Sequence, residues 1–312
     1  MLIRRAQPAM GTYVTVSAYG SNHLRLQDAI SAAFKAIHEV DERMSVHRPD
    51  SELSRVNAEA ARQPVKVSPE LFHVLAAALD ISKTTRGAFD VTTRPLTDLW
   101  GFLWKKNYRL PTASELERVL PLVNFELIEL DPANRTVRFL REGVSIDLGG
   151  IAKGYAVDRA LETLAAAGIT NAMVKAGGDL RVIGLPPGQE HWTVFLEDPN
   201  KRGARIQVRL RDAALSTSGD YENFFEVNGT RYSHILDPRT GMPVQGVAAC
   251  TLVAPTCMES DAWATACMIL GPDGSFSLIT NRFSARFTLR SKARPDRLET
   301  IETADFPALP NP

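Results

Sequence analysis

VSIDLGGIAKGYAVDRALETLAAAGITNAMVKAGGD, residues Val144 to Asp179, passes through three kinds of local structure in quick succession. The apolar alternation through Leu148 predicts a strand that ends at Gly149 and Gly150. A helix follows from about Ile151 to Ala167, closed by Gly168, and NAMVKAGGD then predicts a further strand and turn. A glycine turn between a strand and a helix start suits an anion. The glycines let backbone approach a ligand, and the first helical N–H groups have no partner within the helix.

Towards the N-terminus, GTYVTVSAY (Gly11 to Tyr19) alternates as a strand does. Asn22 caps a helix in which Leu24, Leu26, Ile30, Phe34, Ile37, Val40 and Met44 recur at helical spacing. Asp50 is placed to cap a short helix through Asn57, and Ser68 with Pro69 opens another that stops at Gly87. Thr112 and Glu115 form a capping box. Towards the C-terminus, Trp192 to Phe225 predicts strands and Asn228–Gly229 a type I′ hairpin turn. The strand CTLVAPT precedes a helix carrying MESDAWATACMIL and two closing strands. Helices and strands mix without a strict βαβ repeat, so the fold class is α+β.

The 312 residues can bury one large core or two modest ones. Thirty-six basic and 36 acidic side chains cancel, and no stretch concentrates one sign into the stripe that nucleic acid requires. The densest basic segment, Arg282 to Arg297, interleaves charge with apolar residues as the solvated face of late strands does. Cys250, Cys257 and Cys267 fit neither a disulfide framework nor a zinc site and read as free thiols. The start MLIRRAQPAMG lacks the apolar run of a signal peptide, and no segment is long and apolar enough to span a membrane. A cytoplasmic protein is expected from the chain as written, or a periplasmic one if a leader has been removed.

Three clusters could carry chemistry. In SIDLGGIAKGYAVDR, Lys153 adds positive charge to the helix start and Asp147 adds a carboxylate; the segment fits a phosphate cradle or an ordinary turn with a surface lysine. Asp261 and Thr265 are four residues apart on one helical face, and their hard oxygens suit Mg²⁺, although a solvated Asp near a helix start has the same spacing. In RYSHILDPRTGMP, His234 ends a strand before a turn built by Asp237, Pro238, Thr240 and Gly241. It is placed as a general base or as a structural histidine holding that turn, with Asp237 or a backbone carbonyl to orient it. Phe89, beside Gly87 and Asp90, suits an aromatic ring of a ligand, and Ser216 to Asp220 gives the small polar run STSGD, although each segment also reads simply as a turn.

Taken in order, eight blocks resemble the ApbE family, the FAD:protein FMN transferases. They are MGTYVTV at Met10, MSVHRPDSELSRVN at Met44, GAFDVT at Gly87, SIDLGGIAKGYAVD at Ser145, KAGGD at Lys175, LSTSGDY at Leu215, YSHILDPRTGMP at Tyr232 and APTCMESDAWAT at Ala254. The resemblance implies a T-fold-like α+β architecture, with two antiparallel sheets, packed helices and a flavin cleft between closely packed lobes of one catalytic unit over residues 1–312. It further implies Mg²⁺ held by the Gly150 carbonyl, Asp261 and Thr265. FAD contacts would map to Met10, His47, Ala88, Phe89, Asp90, Asp147, Lys153 and Ile235. His47 stands where some members carry tyrosine.

The activity implied is attack by a Ser or Thr hydroxyl of an acceptor flavoprotein on the FMN phosphorus, with AMP leaving and His234 taking the proton. The Ser216 to Gly219 segment would donate to the phosphate. The same residues would serve a Mg²⁺-dependent FAD pyrophosphatase, in which water attacks. A non-catalytic FAD carrier would need neither His234 nor the metal ligands. The family's acceptor motif, Asp-x-x-Thr/Ser-Gly-Ala-Thr/Ser, is absent from the sequence, so the chain reads as the donor enzyme.

Overall fold

Ala9 pairs with Thr12, so Met10 and Gly11 form a two-residue hairpin turn, both with positive φ (53° and 69°). The turn joins two strands, β1 (Leu2–Ala9) and β2 (Thr12–Tyr19). The first is an edge strand with a proline and two arginines, and its side chains alternate between exposed and half-buried. This is a computed structural model, and it describes residues 1–197, 205–291 and 297–307.

Four helices and a two-residue strand follow: α1 (His23–Met44), α2 (Glu52–Glu59), β3 (Val65–Lys66), α3 (Pro69–Thr84) and α4 (Arg94–Leu99). Next come α5 (Ala113–Val119), β4 (Ile128–Asp131), β5 (Thr136–Phe139), α6 (Ala152–Ala166), β6 (Ala172–Ala176) and β7 (Asp179–Ile183). The later strands are β8 (Trp192–Glu197), β9 (Arg205–Leu210), β10 (Ala214–Gly219), β11 (Phe224–Val227), β12 (Thr230–Ser233) and β13 (Val247–Ala254). Last are α7 (Cys257–Ile279), β14 (Ser284–Arg290) and β15 (Leu298–Glu302). Of the basic segment Arg282 to Arg297, residues 292–296 lie outside the described residues.

Antiparallel pairing builds an eight-stranded sheet in the order β1-β2-β6-β7-β10-β13-β14-β15, beside small sheets formed by β3-β5-β4, β8-β9 and β11-β12. The two faces of the large sheet take opposite members of each alternating strand. Val14, Val16, Val174, Ala214 and Leu252 face a core shared with α1, α6 and α7. Leu180, Val182 and Leu215 face the β8–β9 ribbon with Trp192, Val194 and Val208. A third cluster, around Leu96, Trp100, Phe102 and Leu236, packs against Phe225 and Tyr232 of the β11–β12 hairpin.

The caps largely follow the sequence. Asn22, Ser68 and Thr112 accept the N–H groups expected of them, and the capping box at Thr112 and Glu115 is complete. Ser51 rather than Asp50 caps α2, its hydroxyl accepting from Ser54 N–H. Asn228 and Gly229 both have positive φ, as their hairpin requires.

One expected strand is absent. Val144 to Leu148 belongs to no sheet. Its backbone is satisfied by a side chain instead: Ile146 N–H donates to Asn57 Oδ1 at 2.7 Å, and Asn57 Nδ2 donates to the Ile146 carbonyl at 2.9 Å. Asp147 N–H adds a bond of 2.8 Å to the Val91 carbonyl. Burial without such partners would cost roughly 1–3 kcal/mol per polar group. This pairing delivers Asp147, Gly149 and Gly150 to the start of α6.

Candidate functional site

The ends of these elements meet around a cleft of about 500 Å³. The β1–β2 turn contributes Met10, the segment after α1 His47, and the segment after α3 Ala88, Phe89 and Asp90. The α6 approach brings Asp147, Gly150 and Lys153; the segment after β12 brings His234 and Ile235; α7 brings Asp261 and Thr265. Thus all twelve residues singled out by motif share one cavity. A larger and more open hollow of about 1060 Å³ lies between α3 and residues 120–130, and of these twelve it shares only Asp90.

Two helix starts cross at the floor of the cleft. A Cβ on Gly154 would lie 2.2 Å from the Cys257 carbonyl, so glycine alone permits this approach of α6 to α7. Gly154 N–H donates to Asp261 Oδ2 at 3.0 Å, tying the carboxylate of α7 to the first turn of α6. A Cβ on Gly150 would lie 3.6 Å from Thr265 Oγ1, which places the glycine turn beside that hydroxyl. Ser218 Oγ of β10 is 3.1 Å from the same hydroxyl.

Charge is unevenly balanced here. Lys153 Nζ donates to Asp179 Oδ2 at 2.6 Å and reaches Asp261 Oδ1 at 3.3 Å, so one ammonium serves two buried carboxylates. Burial alone would depress the lysine, but Asp179 and Asp261 together hold it above its usual value. Burial and the neighbouring Asp179 raise Asp261, against the pull of Lys153. Asp147 is also raised by burial, while the Gly149 N–H at 2.8 Å favours its charged form.

These residues fit Mg²⁺. Among the described residues no group of three or more His, Cys, Asp or Glu side chains is arranged to hold a metal. The set expected at Gly150, Asp261 and Thr265 is of another kind, a single carboxylate supplemented by a carbonyl and a hydroxyl. Mg²⁺ completes such a set with waters and phosphate oxygens. The surplus carboxylate charge beside Lys153 favours a cation there.

His234 is held by a backbone carbonyl, not by Asp237. Its Nδ1 lies 3.2 Å from the Asn223 oxygen, whereas Asp237 pairs with Arg239 at 2.8 Å and accepts from the Arg239 N–H. Burial pushes the imidazole down to about 4, and Lys153 and Lys105 push in the same direction. Neutral His234 can therefore accept a proton at physiological pH.

Several of the remaining residues act as walls. The Asp90 carboxylate accepts from Thr92 N–H, Thr92 Oγ1 and Phe125 N–H, which commits its side chain to its own turn and to the backbone at Phe125. Phe89 is buried, and its Cε2 would lie 3.4 Å from a Cβ on Gly150. His47 meets Trp104 edge to face at 5.2 Å. In the STSGD run, Thr217, Ser218 and Gly219 line the cleft, whereas Ser216 is buried against Ser260 Oγ at 2.7 Å. Sequence reasoning missed Asp179, Lys105 and Asn223 as lining residues. Asp179 had a signal, since KAGGD repeats the glycine pair and carboxylate of DLGG. Asn223 had none, because it acts on His234 through its carbonyl.

The three cysteines are free and buried, and no helix among the described residues is long and apolar enough to cross a membrane.

Set beside known proteins, the chain matches the ApbE family over residues 10–287. It is 37% identical over 243 residues to the FAD:protein FMN transferase of Vibrio cholerae, covering 77% of this chain and 72% of that protein. The solved structure of the flavin transferase ApbE from Vibrio cholerae superposes with a TM-score of 0.88 at 30% identity, covering 99% of each chain. That of the flavinyl transferase ApbE from Pseudomonas stutzeri gives 0.87 at 30% identity, covering 97% of this chain and 95% of that one. The α+β arrangement of helices and antiparallel sheets is shared with these structures.

Proposed function

This chain belongs to the ApbE family, and we propose that it is a Mg²⁺-dependent FAD:protein FMN transferase that links FMN to a Ser or Thr of an acceptor flavoprotein and releases AMP. One observation carries the reading: a neutral histidine and a set of hard oxygen donors line the same cleft as the glycine turn at the start of α6.

In this reading FAD lies in the cleft with its pyrophosphate towards Gly149, Gly150 and Lys153. The α6 start contributes partial positive charge, while the Lys153 ammonium is offset by Asp179 and Asp261 and leaves the larger share of neutralisation to a cation. Met10, Ala88, Phe89 and Ile235 bound the remainder of the nucleotide, and His47 with Trp104 forms the outer wall. Gly150, Asp261 and Thr265 would hold Mg²⁺, which when bound supplies charge neutralisation for the pyrophosphate and the leaving phosphate.

The acceptor hydroxyl attacks the FMN phosphorus. A bond forms between the acceptor oxygen and that phosphorus, and the pyrophosphate P–O bond breaks, its bridging oxygen leaving with AMP. The hydroxyl proton passes to His234 Nε2, the ring nitrogen left free by the Nδ1 contact to Asn223. Ser218 offers a hydroxyl to the phosphate from β10, whereas the Thr217 hydroxyl, on the opposite face of the strand, pairs with Thr251 at 2.9 Å.

Incubation with FAD, Mg²⁺ and an acceptor protein, followed by intact-mass measurement of the acceptor, tests the reading. Covalent gain of one FMN with stoichiometric AMP is expected. Free FMN and AMP with an unlabelled acceptor would make the enzyme a pyrophosphatase, and unchanged FAD would make it a carrier.

A further inference from the structure

Asp158 stands on α6 one turn beyond Gly154 and is 5% exposed. Its carboxylate is spent on the other helix. Oδ1 accepts the Cys257 N–H at 2.9 Å and Oδ2 accepts the Met258 N–H at 2.8 Å, two of the free donors that open α7. Arg181 Nη1, reaching from β7, donates to Oδ1 at 2.7 Å. Thr256 takes the next donor, Glu259 N–H, at 3.3 Å.

The bond from Gly154 to Asp261 runs the opposite way, from the first turn of α6 to a carboxylate on α7. Each helix start is therefore held by an aspartate of its partner, and the three bonds flank the point where Gly154 meets the Cys257 carbonyl. Asp261 and Thr265 follow on α7 and Gly150 lies two residues before the start of α6, so the seam fixes how far the proposed donor atoms stand from one another. An ordinary hydroxyl cap would satisfy α7 without reference to α6. A buried carboxylate on the other helix couples them.

We propose that Asp158 is a positioning residue for the cation site: by capping α7 from α6 it sets the helix register that brings Asp261 and Thr265 to Gly150. The proposal rests on the metal reading given above. A merely structural Asp158 would affect stability alone, whereas a positioning residue changes cation affinity in protein that remains folded.

Mn²⁺ titrated into the full-length protein, with bound ion read from loss of the free-ion EPR signal, tests this without turnover. Asp158→Asn should bind Mn²⁺ at least tenfold more weakly than the native protein, with FAD binding in EDTA changed less than threefold. Asp158→Glu should recover part of the loss. Native affinity in a folded Asp158→Asn variant overturns the proposal whatever its melting temperature. Should that variant not fold, Arg181→Met keeps both N–H bonds but removes the counter-ion. Threefold or greater weakening then supports the assignment, and native affinity overturns it. Absence of Mn²⁺ binding by the native protein would overturn the metal reading and this proposal with it, a result distinct from failure in the variants alone.

Discussion

Asn223 presents one carbonyl oxygen to His234 twice, accepting its backbone N–H at 2.9 Å and standing 3.2 Å from its Nδ1. A carbonyl can only accept, so the contact requires the proton on Nδ1 and leaves Nε2 as the basic nitrogen. Tyr108 Oη donates to the Asn223 side chain at 2.8 Å and steadies the same residue.

The pH dependence follows from the lowered value of His234, about 4. The base is neutral at every pH well above that value, so transfer should not fall as pH drops through 6.5, the ordinary histidine value. In kcat/KM against pH at saturating Mg²⁺, the acidic limb assigned to His234 should lie below about 5.5. A midpoint near 6.5 that is lost in a His234 variant would show a solvated imidazole instead.

Stability has the matching sign. The unfolded chain binds a proton on this histidine near 6.5 and the folded chain only near 4, so the contribution is complete above 6.5 and is lost as pH falls towards 4. His234→Ala should flatten the decline of melting temperature across that window, as followed by calorimetry. An unchanged slope would remove His234 from the linkage.

Activity and binding should separate at His234. His234→Ala should bind FAD within about threefold of native, because the ring serves the attacking hydroxyl, and should slow transfer roughly 10²- to 10⁴-fold. Fluorescence titration of FAD and the acceptor-labelling rate give the two numbers. Equal losses in both would mean that the ring holds substrate and does no proton transfer.

Much of this site was legible because its residues sit where elements end, and element ends carry the strongest sequence signals. Gly149–Gly150, Gly87 and the Asp237–Gly241 turn announce themselves through backbone requirements, and Asn22, Ser68 and Thr112 through capping. What periodicity could not show is where a buried backbone finds partners from afar. Val144 to Leu148 reads as a strand by alternation yet pairs with Asn57, and Asp158 reads as an ordinary helical residue yet caps α7. Asp50 and Ser51 are equally good caps by type, and only geometry chose the serine.

Gly150 gives a prediction in the tolerant direction. Its φ is not left-handed, and an added Cβ would meet Phe89 at 3.4 Å and Thr265 at 3.6 Å, ordinary contact distances. Because the proposed ligand is its carbonyl, Gly150→Ala should fold with a melting temperature within about 2 °C of native, a change of under ~1 kcal/mol. It should also keep its Mg²⁺ requirement. Loss of Mg²⁺-dependent transfer in this variant would show that the cleft needs this position free of a side chain.

Asp261→Ala should abolish Mg²⁺-dependent transfer, with a fall of at least about 10²-fold, and should weaken Mn²⁺ binding in parallel. It also leaves the Gly154 N–H without its acceptor at 3.0 Å. Asp261→Asn separates the two effects: the amide oxygen can still accept that N–H, while the charge is gone. If Asp261→Asn transferred FMN at the native rate, the metal assignment would be wrong.

Asn57 stands in for a neighbouring strand, and its two bonds to Ile146 cannot be replaced by another side chain in the same way. Asn57→Leu leaves a buried N–H and a buried carbonyl unpaired at roughly 1–3 kcal/mol each, which should lower the melting temperature by ~5 °C or more. Asn57→Asp is nearly the same size but keeps only the acceptor, and it sets a carboxylate against the Ile146 carbonyl that now receives a 2.9 Å bond. The isosteric change should therefore be at least as damaging as the apolar one. Because Ile146 adjoins Asp147 and leads to Gly150, both variants should also raise the Mg²⁺ concentration needed for half-maximal transfer, whereas a purely global loss of stability would leave that concentration unchanged at temperatures below unfolding.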